Sequence, residues 1–299
     1  MKSLNTEIPL KEIVNVFKQI NVKNILSVAK NIQKRLINDK SLILKGEKNE
    51  YKLVTEADIK IQKLLLDYFN NSSLKDTYQI IAEEKISNKV YKNETNWKLI
   101  IDPLDGTSSF KKQNEIWGIM VGACNNNGIL RYSWNLLSTG VIFTSGYKKT
   151  QKLSFKNKIL RRKSISIDVY DYGSSSSNKF KDIFNSYFNI DKDQIIQTSY
   201  PAAIWAGYKL YTGDLDGLLW LPSNKGKKSY PGYDLIFLGA LLDKGYSVII
   251  GKTGLKNSMI VVAPVIEDAE KLFKVGFDLL ATDKKSKMKK LVNTLNIVD

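Results

Sequence analysis

The spacing of apolar positions changes along the chain, and the changes predict helices followed by strands. Apolar residues recur at helical spacing over 10–37, with a break near Asn21, and again in a helix that Thr55 opens. The polar segment 38–52 between these regions is predicted to be a loop or a hairpin. Short continuous apolar runs that are typical of strands follow at 78–82, 97–101, 116–124, 129–136 and 140–145.

Beyond Gly173 the predicted strands and helices alternate. Strands are predicted over 194–199, 216–221, 246–250 and 258–263, and helices over 201–211, 233–244 and 266–280. This order indicates layers of helices and sheets in two halves, with their border between 145 and 175. We therefore expect an N-terminal α+β half over 1–150 and a C-terminal α/β half over 151–299.

The composition excludes several classes of enzyme. The 299 residues include one cysteine, Cys124, and no histidine. Disulfide scaffolds, zinc sites built from Cys and His, and catalysis by Ser–His or Cys–His pairs are therefore excluded. A metal ion would be bound mostly by oxygen atoms, which favours Mg²⁺, Mn²⁺ or Ca²⁺.

The chain is also strongly basic, with 46 Lys and Arg against 30 Asp and Glu and a formal net charge of +16. Such an excess can indicate nucleic acid, a membrane surface or an anionic substrate. Here the basic residues are spread thinly and their clusters contain no interleaved aromatic residues, so we expect neither a nucleic-acid nor a membrane partner. The N-terminus lacks the apolar stretch of a signal peptide, no apolar run is long enough for a membrane span, and a cytoplasmic location is expected.

The most informative segment is an apolar run that ends in two aspartates. Asp102 follows the predicted strand, Pro103 is expected to turn the chain out of the sheet, and Asp105 comes three residues after Asp102. A tight turn at the next residue leaves three backbone N–H groups available, those of Gly106, Thr107 and Ser108. Two carboxylates facing these groups would suit a cation that bridges to a phosphate. The same residues can also form simple Asp-Pro and Asp-Gly turns.

Other acidic residues have individual structural explanations. Glu83 and Glu84 follow the apolar run 78–82, where adjacent acids usually face solvent. Asp234 lies at the start of a predicted helix, where a negative charge is favourable. Asp58 lies three residues after Thr55, which is the spacing of a capping box.

In their order along the chain, these segments resemble the inositol monophosphatase family of metal-dependent phosphatases. Residues 102–107, DPLDGT, match the family's D-P-[IL]-D-G-T signature in full. Residues 82–84, AEE, resemble its G-E-E element, residues 54–58, VTEAD, its V-T-x-x-D, and residues 233–234, YD, its W-D. The resemblance spans roughly residues 10–280.

The resemblance implies an α+β fold, a layered αβαβα sandwich, and hydrolysis of phosphomonoesters with two or three Mg²⁺ ions. It implies metal ligands that come mostly from the N-terminal half, namely Glu83, Asp102, the carbonyl of Leu104, Asp105 and Asp234. It implies that a metal-activated water attacks the phosphate in line, with catalytic roles for Asp58, Glu83 and Thr107 and with Glu84 as nearby support. Phosphate would be bound at Gly106, Thr107 and Ser108. The family is commonly dimeric, so a homodimer is compatible with the resemblance.

The chemistry of the residues agrees with this interpretation. Four carboxylates cannot stay both ionised and close together without cations. Bound Mg²⁺ would neutralise them and lower the pKa of a bound water. Phosphoryl transfer depends on positioning and charge stabilisation, so that neither histidine nor cysteine is needed as a nucleophile.

The sequence departs from the family in ways that affect the substrate. Ser109 stands where the family usually has Asn, and Tyr233 replaces its Trp. Inositol-specific members carry an acid shortly before the last Asp, whereas residues 227–232 here contain none and begin with Lys227. This stretch suits a substrate with a second anionic group that contacts Lys227, unless its lysines are simply solvated.

Three functions therefore stay open. The first is an inositol monophosphatase-like enzyme that acts on a small phosphorylated metabolite. The second is a 3′(2′),5′-bisphosphate nucleotidase or sugar bisphosphatase of the same superfamily. The third is a catalytically inactive, basic nucleic-acid-binding protein.

Overall fold

The computed structural model describes residues 10–45, 53–73, 75, 78–84, 97–145, 164–170, 177–221, 231–253, 256–280, 288–295 and 297. The α-helices are α1 (Leu10–Lys18), α2 (Val22–Arg35), α3 (Glu56–Asn70), α4 (Thr107–Lys111), α5 (Ser177–Phe188), α6 (Ala203–Thr212), α7 (Leu238–Asp243) and α8 (Ile266–Leu279). Short 3₁₀ turns cover Lys40–Leu42, Lys192–Gln194 and Gly232–Leu235. Among the described helices, none combines the length and the apolar character needed to cross a bilayer.

The strands are β1 (Ile43–Lys45), β2 (Leu53–Thr55), β3 (Tyr78–Ala82), β4 (Trp97–Asp105), β5 (Gly118–Asn125), β6 (Leu130–Leu137), β7 (Ile142–Thr144), β8 (Ile165–Tyr170), β9 (Ile195–Thr198), β10 (Gly217–Trp220), β11 (Ser247–Thr253), β12 (Lys256–Ala263) and β13 (Met288–Val292). One sheet has the order β3-β4-β5-β6-β7, and only its β3–β4 pair is parallel. The other has the order β13-β11-β12-β10-β8-β9, in which β8 runs parallel to both of its neighbours. Strands β1 and β2 form an antiparallel pair, which favours the hairpin over the loop as the interpretation of 38–52.

Alternate residues of the central strands belong to different hydrophobic cores, which shows how the layers stack. Leu99 and Ile101 of β4 pack with α1, α2 and α3, whereas Ile100 faces a core shared with α6, α7 and the six-stranded sheet. In β11, Val248 faces that shared core, and Ile249 packs with α5 and α8 on the far side. The order of layers is thus helices, sheet, helices, sheet, helices. The predicted αβαβα sandwich is confirmed.

Several local predictions are also tested. Helix α1 ends before Asn21, and the Asn21 side chain caps α2 by accepting a hydrogen bond from the Asn24 N–H (3.1 Å), so the predicted break is confirmed. The predicted helix 233–244 is instead the 3₁₀ turn Gly232–Leu235 followed by α7. Helix α5 and strands β8 and β13 were not predicted. The border proposed between 145 and 175 falls mostly on residues outside the described ranges, and the division into halves stays a prediction.

The prediction that Pro103 turns the chain out of the sheet is wrong. Strand β4 continues to Asp105, with Asp102 opposite Met120 and Asp105 opposite Gly118. The register shifts between these pairs, so the segment around Pro103 forms a bulge. Proline is tolerated there because a bulged residue need not donate its N–H to the ladder.

Helix α6 lies so close to α7 that only glycine fits at position 207. A Cβ atom on Gly207 would lie 2.7 Å from Cγ of Phe237, whose ring is fully buried in the middle layer. The contact holds α6 against the residues that follow Asp234.

We expect Gly207→Ala to lower the free energy of unfolding by about 1–3 kcal/mol, because overpacking outweighs the better helix propensity of alanine. Urea denaturation measures this value. Ser27→Ala, on the exposed face of α2, is the matched control and should change it by less than about 0.5 kcal/mol. Equal stability of the two variants would contradict the close packing.

Candidate active site

Four acidic residues meet at the carboxyl ends of β3 and β4. The parallel pair aligns Ala82 with Ile101, which places Glu83 beside Asp102. The N–H of Glu83 continues the ladder by donating to the carbonyl oxygen of Ile101 (3.0 Å). Asp234 lies on the 3₁₀ turn that packs against β4. The structure therefore brings Glu83, Asp105 and Asp234 close enough to Asp102 for their charges to act on its carboxyl.

Burial has the largest effect on the pKa values of the inner carboxyls, Asp102 and Asp105, and repulsion between negative charges adds to it at Asp102. Asp102 is only 1% exposed, and burial raises the pKa of its carboxyl well above the usual range. The negative charges of Glu83, Asp105 and Asp234 raise that pKa further. Burial raises the pKa of Asp105 to about 6, although backbone N–H groups oppose the shift. Among these, the Ile204 N–H donates to Oδ2 of Asp105 at 2.6 Å.

Asp58 caps a helix and faces the cluster at the same time. Its Oδ2 accepts from the Thr55 N–H and the Thr55 hydroxyl, both at 2.6 Å, and the capping box is complete. Its Oδ1 lies 3.4 Å from Oγ1 of Thr107. Burial raises the pKa of Asp58 to about 7, and the charge of Glu84 adds to the effect. The capping and catalytic interpretations of Asp58 are thus compatible.

Thr107 connects Asp58 with the metal-ligand candidates. Its Oγ1 lies 3.0 Å from the carbonyl oxygen of Leu104 as well as 3.4 Å from Asp58. A hydroxyl has one proton to donate, and the shorter distance favours the Leu104 carbonyl. If the Leu104 carbonyl oxygen were engaged by another group, the Thr107 hydroxyl could donate its proton to Asp58 instead.

The turn before α4 requires glycine. Gly106 has a φ of +87°, and a Cβ atom there would lie 2.7 Å from the Ile116 carbonyl oxygen and 2.8 Å from Cβ of Ala202. As the N-cap of α4, it supplies no side-chain hydrogen bond to the first turn, which contains Thr107 and the exposed Ser108. The predicted phosphate-binding residues thus stand at an uncapped turn beside Asp105.

Two buried residues that support the cluster were missed from the sequence. Gln62 is 1% exposed, and its amide donates to the Glu84 carbonyl oxygen (2.6 Å) and accepts from the Glu84 N–H (3.1 Å). Its helical spacing from Asp58 could have placed it on the same face of α3, but no local signal identifies its partner.

Asp168 supports the cluster from the six-stranded sheet. It is fully buried and accepts from the Tyr200 N–H (2.9 Å) and from Nε1 of Trp220 (3.0 Å). Burial raises its pKa to about 6. These bonds fix the segment that leads into α6, where the Ile204 N–H holds Asp105.

The donor set fits a hard divalent cation, because it consists of carboxylate oxygens and the Leu104 carbonyl. Within the described ranges, however, no three Asp, Glu, His or Cys side chains are arranged as closely as the ligands of a metal ion. One oxygen atom of Asp102 and one of Asp105 instead accept a hydrogen bond from the backbone. The Leu104 N–H donates to Asp102 (3.1 Å), and the Ile204 N–H donates to Asp105. Lys227, the predicted substrate contact, lies outside the described residues.

The predicted family resemblance is confirmed by comparison with known sequences. The model of the inositol monophosphatase family matches residues 12–132, which contain Asp58, Glu83 and the DPLDGT segment. No curated protein sequence is similar enough to match.

Solved structures confirm the fold. The extragenic suppressor protein SuhB from Bartonella henselae has a TM-score of 0.64 at 14% identity, over 88% of this chain and 97% of that one. A staphylococcal inositol monophosphatase-1 in a lithium-soaked inhibitory complex has a TM-score of 0.61 at 17% identity, over 90% and 96%. An inositol monophosphatase/NADP phosphatase complexed with NADP and Ca²⁺ has a TM-score of 0.59 at 17% identity, over 89% and 97%.

The raised pKa values predict that the metal-free protein loses stability as the pH rises. Asp58, Asp105 and Asp168 have folded-state pKa values of about 7, 6 and 6, above their ordinary value of 3.8. The folded state therefore keeps protons that the unfolded state releases between about pH 4 and about pH 7, so the free energy of unfolding falls across this window.

Urea unfolding in the presence of a chelator, at about pH 5 and about pH 8, measures the effect. Asp58→Asn removes one of the titrating groups and should make the dependence shallower. Stability that is constant or that increases from the lower to the higher pH would contradict the account.

Proposed function

We propose that the protein is a phosphatase of the inositol monophosphatase superfamily, which hydrolyses a small phosphorylated metabolite with the aid of Mg²⁺. The observation that carries the proposal is the cluster of four carboxylates in which three surround buried Asp102. The cluster lies beside the Asp58–Thr107 pair and an uncapped helical turn. The family match over residues 12–132 supports the same conclusion.

The cations would be held by residues from both parts of the chain. Glu83, Asp102, the Leu104 carbonyl and Asp105 come from the ends of β3 and β4, and Asp234 comes from the 3₁₀ turn. When bound, two or three Mg²⁺ ions would neutralise the carboxylates, lower the pKa of water and stabilise the leaving oxygen. The segment 1–150 would thus supply most ligands, and 151–299 would supply Asp234 and substrate contacts.

Asp58 and Thr107 would orient the attacking water and remove its proton. A pKa near 7 suits Asp58 to accept a proton at neutral pH. The Thr107 hydroxyl, shared between Leu104 and Asp58, would direct a lone pair or a proton to the water. Glu83 would contribute to catalysis as a ligand, with Glu84 close to Asp58.

The substrate phosphate would be bound by the backbone N–H groups of Gly106, Thr107 and Ser108, in line with the water. Lys227 would contact a second anionic group of the substrate. We further propose a cytoplasmic location, and a homodimer is compatible with this function.

The identity of the phosphomonoester is a separate question. The structural neighbours include a dual-specific inositol monophosphatase/NADP phosphatase bound with D-inositol-1-phosphate and an inositol monophosphatase/NADP phosphatase complexed with NADP and Ca²⁺. These names favour a panel that covers both inositol phosphate and nucleotide phosphates. A basic nucleic-acid-binding protein without turnover is the less favoured function, because acidic residues occupy all four side-chain ligand positions.

We expect Mg²⁺-dependent release of phosphate from at least one ester of a panel containing inositol phosphate, NADP, adenosine 3′,5′-bisphosphate, fructose bisphosphate and histidinol phosphate. Asp105→Asn should lower the rate at least about 100-fold, because even the loss of an outer-sphere partner costs about 10–100-fold. Phosphate release with and without Mg²⁺ provides the measurement.

Asp214→Asn is the matched control. Asp214 is exposed and pairs with Nζ of Lys209 (2.9 Å) and the Thr212 hydroxyl (3.0 Å) on the surface, so activity should stay within about twofold of wild type. No release from any ester at any Mg²⁺ concentration would contradict the proposed function. Salt-dependent binding of RNA or DNA would then favour the alternative.

A further inference from the structure

Gln62 makes a two-point hydrogen bond to the peptide backbone of Glu84. Its Nε2 donates to the carbonyl oxygen at 2.6 Å, and its Oε1 accepts from the N–H at 3.1 Å. Gln62 is buried on α3, and Glu84 lies 22 positions later in the chain, just after β3. The contact therefore joins a helix to the strand end that carries two acidic residues.

An amide side chain is well suited to make both of these bonds. It carries one donor and one acceptor in a plane, and so matches the N–H and carbonyl groups of a single residue. An ionised carboxylate would accept from the N–H and repel the carbonyl oxygen. A methionine of similar length would remove both hydrogen bonds from the buried backbone of Glu84, which is costly.

The hydrogen bonds of Gln62 fix the backbone next to Glu83, one of the candidate cation ligands. The Glu83 N–H is held by the Ile101 carbonyl of β4, and the next residue is held by Gln62. The charge of Glu83 acts on Asp102, and the charge of Glu84 acts on Asp58. A shift of this backbone would change both separations together.

Helix α3 carries Asp58 one turn before Gln62, and its packing on β4 fixes the helix against the sheet. The capping box holds Asp58 at the start of the helix. Four residues further along the same helix, the side-chain amide of Gln62 holds the backbone of Glu84 by hydrogen bonds. Helix α3 therefore sets the position of Asp58, the candidate for activating the water, and, through Glu84, the position of its neighbour Glu83, the candidate cation ligand.

We infer that Gln62 is a positioning residue for the cation site: its amide holds the Glu83–Glu84 backbone so that the Glu83 carboxylate can bind a divalent cation beside Asp102. The inference rests on the proposed function, since it concerns the same site. Gln62 itself contacts neither cation nor substrate. It acts through the backbone of its partner.

The test is calorimetric titration of the full-length protein with Mg²⁺ or Mn²⁺ in the absence of substrate, together with thermal unfolding. Gln62→Met should raise the dissociation constant of the cation at least about tenfold, as the loss of outer-sphere partners does elsewhere. Gln62→Asn keeps the amide but is one methylene shorter, so its dissociation constant should lie between those of wild type and Gln62→Met. The phosphatase rate of both variants should recover at saturating Mg²⁺, with the half-saturating concentration raised.

Ser145→Ala is the matched control. The buried Ser145 hydroxyl accepts from the Ser133 N–H (2.7 Å) at the far edge of the same sheet, so its loss removes a buried bond to the backbone away from the acids. It should lower the melting temperature and leave the dissociation constant within about twofold of wild type.

The outcomes separate the two proposals. An unchanged dissociation constant in folded Gln62→Met would overturn the role of Gln62 and leave the proposed function standing. If that variant does not fold, an unchanged constant in Gln62→Asn has the same meaning. A wild-type protein that binds neither Mg²⁺ nor Mn²⁺ would overturn the proposed function, and the inference with it.

Discussion

The burial of Asp102 among three other carboxylates that repel it, at the ends of β3 and β4, is the constraint on which the site depends. Asp102 is buried with the charges of Glu83, Asp105 and Asp234 around it, and its carboxyl resists ionisation for that reason. Carboxyls whose pKa is raised in this way cluster at functional sites, where the function offsets the cost in stability. Binding of divalent cations is the gain that the oxygen donors favour, and it is the basis of the proposed phosphatase activity.

The surrounding structure holds the carboxylates in place against this repulsion. The bulge around Pro103 lets Asp102 and Asp105 both stay in β4 while the chain between them departs from regular pairing. Backbone N–H groups then hold the side chains, that of Ile204 on Asp105 and that of Leu104 on Asp102. These contacts come from two layers of the sandwich. Leu104 lies on β4 in the five-stranded sheet, and Ile204 lies on α6 in the helical layer between the two sheets. The layered fold is thus what brings distant segments to one site.

Local sequence was sufficient for part of this picture. The capping box at Thr55 and the turn at Gly106 depend on neighbouring residues, and each could be predicted from a short segment. Pro103 was misinterpreted because a bulge depends on the partner strand β5 and not on the proline alone. Gln62 and Asp168 could not be assigned, because the partner of Gln62 lies 22 positions away, those of Asp168 lie 32 and 52 positions away, and no motif marks them.

The most direct test of the central claim is crystallography of the protein with Mn²⁺, using anomalous scattering to locate the ion. The account predicts anomalous density within bonding distance of carboxylate oxygens of Glu83, Asp102, Asp105 or Asp234. Bound Mn²⁺ would also draw these side chains closer together than they are without it. Crystals that contain Mn²⁺ but show no anomalous density at these carboxylates would contradict the account.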